Sequence, residues 1–315
     1  MKLSEQWLRE WVSPPLTTDE LADQLTMAGF EVEGIESCAG KFKSIVVGRI
    51  EQVEAHPDAD KLSICQVDTG AGIKSIVCGA SNVAAGKCFP LALPGAILPD
   101  GQKIEETVLK GIASAGMLCS GAELGLSSDD EQLIELHGDA EPGADLAEYL
   151  RLDDHVIELS LTPNRGDCLS LTGIAREVGV LNNLPVQNVE AQKPEVSHKQ
   201  SRSVVLEADS ACPRYAGRIL SNIDISSRAP DWIVERLRRA DIRSINVVVD
   251  LTNYVMLELG QPMHAFDNDK LSGDIVVIYA KNSEELTLLD GQQCSVQEQT
   301  LLITDDSGAI ALAGI

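Results

Sequence analysis

Along the first forty positions, apolar residues recur at helical spacing. Ser4 can cap a helix whose Trp7, Leu8, Trp11 and Val12 fall on one face, and Pro14-Pro15 stops it. Thr17 and Glu20 have the spacing of a capping box, in which each side chain satisfies the other residue's free backbone N–H. Leu21, Leu25 and Ala28 continue as an apolar stripe that Gly29 closes, and Phe30, Val32 and Ile35 begin a strand. From about residue 41 the period changes to that of short strands. Ser44–Val53, Leu62–Asp68, Ser75–Cys78 and Cys88–Leu93 alternate with turn signals at Asp68-Thr69-Gly70 and Pro94-Gly95. This texture predicts a small closed barrel that ends near Leu150, after an acidic run around Asp129–Glu131.

A second helical stripe follows, with Ser170 ahead of Ile174, Ala175, Val178 and Leu181. Asn182 to about Ser203 has few large apolar residues and reads as a linker. Beyond it, Pro230 suits a first helical turn, and Trp232, Ile233, Leu237 and Ala240 share a face. Asn246–Val249 reads as an apolar strand, and Asp250 as the cap of a helix that Gly260 ends. Strands are predicted at Asp274–Ala280, Glu285–Leu289 and Thr300–Thr304, with Asp290-Gly291 as a hairpin turn. Arg236, Arg238 and Arg239 read as a solvated face, and Arg243 by itself as a helix-end cation. The chain stops at Ala309–Ile315, an apolar run without a polar tail, which reads as the end of a truncated chain.

Charge narrows the picture. With 25 Lys and Arg against 49 Asp and Glu over 315 residues, the net charge is −24. Bulk charge of that sign excludes non-specific binding to nucleic acid, so any RNA contact must be local, led by shape or shared with another subunit. No apolar run approaches the roughly 20 residues of a bilayer span, and the N-terminus lacks a signal-peptide pattern. The eight cysteines are scattered singly, with no CxxC and no zinc-finger spacing. They read as free thiols in a reducing, cytoplasmic compartment, with no metal ligands in this chain.

Three stretches carry a resemblance. The first is Val46-Val47-Gly48-Arg49-Ile50 with His56-Pro57-Asp58-Ala59-Asp60-Lys61-Leu62, Val77-Cys78-Gly79-Ala80-Ser81-Asn82-Val83 and Leu118-Cys119-Ser120. It resembles the tRNA-binding barrel, an OB-fold. The second runs from Leu161-Thr162-Pro163-Asn164-Arg165-Gly166-Asp167 to Arg176-Glu177, and the third from Arg243 through Asp250-Leu251-Thr252-Asn253-Tyr254 to Pro262-Met263-His264-Ala265-Phe266-Asp267. In this order the three resemble the N-terminal part of the bacterial phenylalanine–tRNA ligase beta subunit, over the whole chain. The resemblance implies a multidomain α+β protein. Residues 1–39 and 151–190 would form a small α+β domain interrupted by the OB-fold barrel at 40–150. A linker at 191–203 would lead into the first part of an α/β editing domain of B3/B4 type at 204–315.

The same resemblance implies a ligase that attaches phenylalanine to its tRNA, using ATP and Mg2+ bound outside this chain. The partners would be an alpha subunit, in a heterotetramer of two alpha and two beta chains, and the tRNA for phenylalanine. Chains of that family are much longer, and this stretch alone is expected not to aminoacylate. Its editing domain would hydrolyse tRNA mischarged with tyrosine, with His264 positioning a water and Arg243, Thr252 and Asn253 lining the pocket. The acidic residue that recognises the tyrosine hydroxyl would lie beyond Ile315. On its own, His264 reads as a structural hydrogen-bonding residue, His56 as the residue that fixes the turn before Asp58, and Arg165 as an ion-paired residue that orders its loop. Residues 41–150 hold eight Lys and Arg against seventeen Asp and Glu, with Phe42, Phe89 and Tyr149 as the only aromatics. Barrels that bind single strands combine a basic groove with stacking aromatics, so the barrel alone is expected to hold tRNA weakly. A non-catalytic tRNA-binding or assembly module built on the barrel is the alternative.

Overall fold

The computed structural model describes residues 1–127, 132–189, 191–281, 284–288 and 291–313. The expected acidic run at Asp129–Glu131, and Leu289 and Asp290 of the expected strand end and turn, lie outside them. The chain divides into two compact units: Met1–Val189 with Ile225–Met263, and Glu190–Asp224 with His264–Ile315. Residues 225–263, which the resemblance groups with 204–315, pack in the first unit. Tyr254 and Leu257 from that segment sit against its buried helical core, which is where their apolar surface is covered.

In the first unit, strand β1 (Lys2–Ser4) runs directly into helix α1 (Glu5–Trp11), and helix α2 (Thr18–Met27) leads to strand β2 (Glu31–Ser37). The caps are the expected ones. Ser4 Oγ accepts the Trp7 N–H, and Thr17 and Glu20 exchange both bonds of the capping box. Both Trp7 and Trp11 are buried, with Leu8, Leu21, Leu25 and Phe30 around them. A long excursion follows before strand β10 (His155–Ser160) inserts between β1 and β2, antiparallel to both. Helix α4 (Leu171–Asn182) closes this core, capped by Ser170, with Ile174, Ala175 and Val178 of the expected stripe buried and Leu181, at its end, exposed.

The excursion holds a five-stranded antiparallel sheet. Its strands are β3 (Lys43–Ala55), β4 (Ser63–Asp68), β5 (Ile73–Cys78), β6 (Cys88–Ile97) and β9 (Met117–Leu118), in the order β5-β4-β3-β6-β9. The hairpin β7 (Thr107–Leu109) and β8 (Ile112–Ser114) and the short helix α3 (Leu146–Tyr149) complete it. The 13-residue β3 serves both halves, pairing with β4 along its second part and β6 along its first. Two buried clusters, one around Ile45, Val47, Leu98 and Leu124 and one around Ile50, Val67, Phe89 and Leu91, fill the sheet's apolar faces. Pro94-Gly95 is not a turn. Strand β6 continues through it, and register with β3 jumps between Ile45↔Ala92 and Lys43↔Ile97. Gly95, at φ +96°, takes up the surplus residues while its N–H bonds to the Ile104 carbonyl.

Asn246–Val249 is likewise not a strand. Helix α5 (Asp231–Arg239) is followed by a short loop and helix α6 (Val247–Leu259), whose cap is Asn246 rather than Asp250. The Asn246 side chain accepts the N–H groups of Val248 and Val249, and that local bonding overrides the strand preference of three successive valines. Gly260 ends the helix as expected.

The second unit contains a four-stranded sheet in the order β11-β12-β15-β16. Its strands are β11 (Val204–Leu206), β12 (Ile275–Tyr279), β15 (Leu301–Asp305) and β16 (Gly308–Leu312), and β13 (Glu284–Thr287) pairs separately with β14 (Gln293–Val296). Strand β11 is parallel to β12, and the other pairs are antiparallel. Ala280, Val296 and Leu302 form its buried centre. None of the helices among the described residues is long and apolar enough to cross a membrane.

Candidate functional site

Arg243, Thr252 and Asn253 lie on one stretch of the first unit, the loop between α5 and α6 and the second turn of α6. His264 belongs to the second unit, where its ring meets Phe266 edge-on at 4.5 Å between centroids. Arg243 is exposed, and among the described residues no hydrogen bond or ion pair engages its guanidinium. Thr252 and Asn253 are half-buried, and Thr252 Oγ1 donates to the Val249 carbonyl at 2.8 Å. Helix α6 is fixed at its other end by Thr172 on α4, whose hydroxyl donates to the Glu258 carbonyl.

The loop itself is built from both sides. Asp241, at φ +62°, ends α5 in a left-handed conformation, and the Ile242 N–H returns to the Leu237 carbonyl. Asp250, buried at 1 % exposure, accepts the Ser244 hydroxyl at 2.6 Å and the Ile245 N–H at 2.8 Å. The sequence pattern makes Asp250 a helix cap, whereas in the fold its carboxylate reaches back across the helix start to hold the loop.

The arginine run on α5 is not a solvated face. Arg239 is buried against Asp154, with Nη1 to Oδ2 at 2.8 Å and side chains 5 % and 0 % exposed, and its Nη2 donates to the Leu150 carbonyl at 2.7 Å. Arg238 pairs with Glu235. The Arg236 guanidinium lies 4.8 Å from the Trp7 ring and 5.1 Å from the Trp232 ring, and its Nη2 bonds both Glu10 oxygens at 2.7 and 2.6 Å. Arg236, Arg239, Glu235, Glu10, Trp7 and Trp232 border a cleft of about 600 Å³, also lined by Tyr149, Arg151, Asp231 and Tyr254. Burial raises the Asp231 carboxyl above the ordinary Asp range, although Tyr149 Oη–H and the His137 N–H donate to it. Trp232, expected on the buried stripe, is 52 % exposed on the cleft rim. The spacing of the charge run does carry a signal of pairing, since Glu235 lies three and four residues before Arg238 and Arg239.

Two further expectations are met. His56 is buried and its Nδ1 accepts the Asp58 N–H at 3.1 Å, fixing the turn. Arg165 pairs with Asp167 at 3.2 Å and Glu177 at 2.7 Å, and lies 4.7 Å over the Phe30 ring. Asp167, Cys168 and Glu177 converge as three ligand-type side chains, yet they do not fit Mg2+. The Arg165 guanidinium already supplies the cation there, and burial pushes the Cys168 thiol up to about 11, which keeps it protonated at neutral pH.

Among the described residues of 41–150, no aromatic ring is exposed. Phe89 is fully buried, and Phe42 and Tyr149 are partly buried, Tyr149 with its hydroxyl on Asp231. Lys87 and Lys103 are paired with Glu135 and Glu105, and Arg49 donates to the carbonyls of Gly138 and Ala140.

Comparison with known proteins places these elements. The putative tRNA binding domain family matches residues 45–145, and the B3/4 domain family matches residues 211–315. Over all 315 residues the chain is 51 % identical to the phenylalanine–tRNA ligase beta subunit of Pseudomonas putida and 52 % identical to that of Pseudomonas fluorescens. The beta subunit of Methylococcus capsulatus is 51 % identical over 316 aligned residues. The chain spans 40 % of the length of each of these relatives. Across that span, the chain belongs to the phenylalanine–tRNA ligase beta-subunit family.

Proposed function

We propose that this chain serves, within a phenylalanine–tRNA ligase, as the part of the beta subunit that supports tRNA contact and removes tyrosine from mischarged tRNA. The observation that carries this reading is identity of about one half over the full length of the chain, with the two family models matched at 45–145 and 211–315. In this reading the sheet at 40–150 is an OB-fold set into the domain made by 1–39 and 151–190, with a linker at 191–203. Residues 204–315 are the N-terminal part of the editing domain. The whole ligase works in the cytoplasm as two alpha and two beta chains, joins phenylalanine to its tRNA, and binds ATP and Mg2+ outside this chain.

Phenylalanine and tyrosine differ by one hydroxyl. A synthetic pocket excludes tyrosine by leaving that group unpaired, whereas an editing pocket must reward it with a hydrogen bond. Ester hydrolysis then needs a water held at the carbonyl and donors for the developing oxyanion. Exposed Arg243 is free to meet the terminal adenosine or its phosphate, and half-buried Thr252 and Asn253 offer fixed polar groups on a rigid helix. His264, an exposed imidazole, is the candidate for holding the water. In the full-length ligase, His264→Ala is expected to lower hydrolysis of tyrosine-charged tRNA about tenfold or more while leaving phenylalanine attachment unchanged. Hydrolysis at the parent rate would remove His264 from the site.

The sheet's contribution has its own test. With no exposed stacking ring and a net charge of −9 over residues 41–150 (eight cations against seventeen anions), residues 40–150 should bind tRNA more weakly than about 1 μM. Sub-micromolar, salt-sensitive retention in a filter-binding assay would refute this.

A further inference from the structure

We propose that Asp250 is a positioning residue for the editing reaction, holding the loop that presents Arg243; this rests on the reading of Arg243 as part of the editing pocket. The loop joins two helix ends that are secured independently. Ile242 is fixed to α5 through the Leu237 carbonyl, and Asn246 is fixed to α6 as its cap. Between them lie Arg243, Ser244 and Ile245. Among the described residues, the only hydrogen bonds to these three come from one carboxylate, that of Asp250, through the Ser244 hydroxyl and the Ile245 N–H. The arginine side chain has no partner of its own there, so the place from which it reaches is set by this backbone.

Asp250 cannot itself touch a substrate, because it is 1 % exposed. Its position one turn into α6 does two things. The carboxylate sits at the positive end of the helix, where a negative charge is favoured. It also ties the loop to the helix that carries Thr252 and Asn253, so that the three polar groups move as one body. A binding constellation loses its rate when a group drifts by as little as about 1 Å, and between its two fixed ends the loop has, among the described residues, only these two hydrogen bonds against such drift.

The experiment uses the full-length ligase, measuring hydrolysis of tyrosine-charged tRNA with phenylalanine attachment as the control for folding. Asp250→Ala is expected to lower kcat/KM for hydrolysis about tenfold, close to the loss from Arg243→Ala. The Arg243→Ala/Asp250→Ala pair should lose no more than Arg243→Ala alone, because the loop then has nothing left to present. Asp250→Asn, which can still accept the Ile245 N–H and bond the Ser244 hydroxyl, should stay within about threefold of the parent. Ser244→Ala, which removes one of the two bonds without touching the buried carboxylate, should lose about threefold and stands in if Asp250→Ala does not fold. Parent-like hydrolysis in Asp250→Ala, or in Ser244→Ala if it must stand in, would overturn the positioning role when Arg243→Ala is impaired. Full additivity in the double variant would overturn it too. If Arg243→Ala is also parent-like, the reading of Arg243 as an editing residue fails instead.

Discussion

Replacing Arg239 by Ala is expected to cost the first unit roughly 3–5 kcal/mol of stability, because it strands a buried carboxylate. Asp154 is 0 % exposed on its side chain, and besides Arg239 it accepts the Ser4 hydroxyl at 2.5 Å and the N–H groups of Gln6 and His155 at 2.9 and 2.8 Å. Those three donors remain in the variant, but none carries a full positive charge. The guanidinium also satisfies the carbonyls of Leu150 and Arg151, which the smaller side chain leaves without that donor. Burying an ion pair gives little net stabilisation, whereas removing one member leaves the desolvation cost of the other uncompensated. All three tryptophans lie in the first unit, so urea unfolding followed by tryptophan fluorescence reads that unit. A loss below about 1 kcal/mol would show that water reaches Asp154 in the variant. In the Arg239→Ala/Asp154→Ala pair, the combined loss should be smaller than the sum of the single losses.

Gly173→Ala sets two effects against each other. Inside a helix, alanine is favoured over glycine by about 1 kcal/mol, which by itself predicts a more stable protein. A Cβ at this position, however, would sit 2.1 Å from the Asp167 carbonyl oxygen and 2.8 Å from the Cys168 Cα. Both are backbone atoms of the turn Pro163–Cys168, held in place by Arg165, so no rotamer change relieves the contact. Overpacking of this kind costs about 1–3 kcal/mol, and here the obstacle is backbone. The steric effect wins, and the variant is expected to unfold at lower urea than the parent. A rise in the midpoint would mean that α4 and the turn are farther apart than the structure has them.

What can be read in advance follows the range of the interaction. The caps at Ser4, Thr17 and Ser170 depend on residues three positions away, and the sequence carries them in full. Strand β1 is three residues long, and its partner lies over 150 residues on, so no local pattern announces it. The Val247-Val248-Val249 run illustrates propensity losing to capping, and Pro94-Gly95 a turn signal absorbed by a bulge. The arginines of α5 look solvated from periodicity because burial of charge depends on partners such as Asp154 and Glu10 that no periodicity predicts. Arg243, Thr252, Asn253 and His264 stand out through resemblance alone. The anchor that Asp250 gives the Arg243 loop emerges only when that loop's hydrogen bonds are followed.

The pairing of β1 with β10 also fixes an order of events during synthesis. Lys2–Ser4 cannot enter their sheet until His155–Ser160 exist, and at about 5–20 residues per second that is a delay of roughly 8–30 s. Strands β3 to β6 meet neighbours made within a much shorter stretch and can close during the wait, with little loop entropy to overcome. Through that interval Trp7, Leu8 and Trp11 have no sheet beneath them. The nascent chain therefore carries the apolar face of α1 uncovered while its middle is already folded, and slower translation past residue 120 would lengthen its exposure to aggregation.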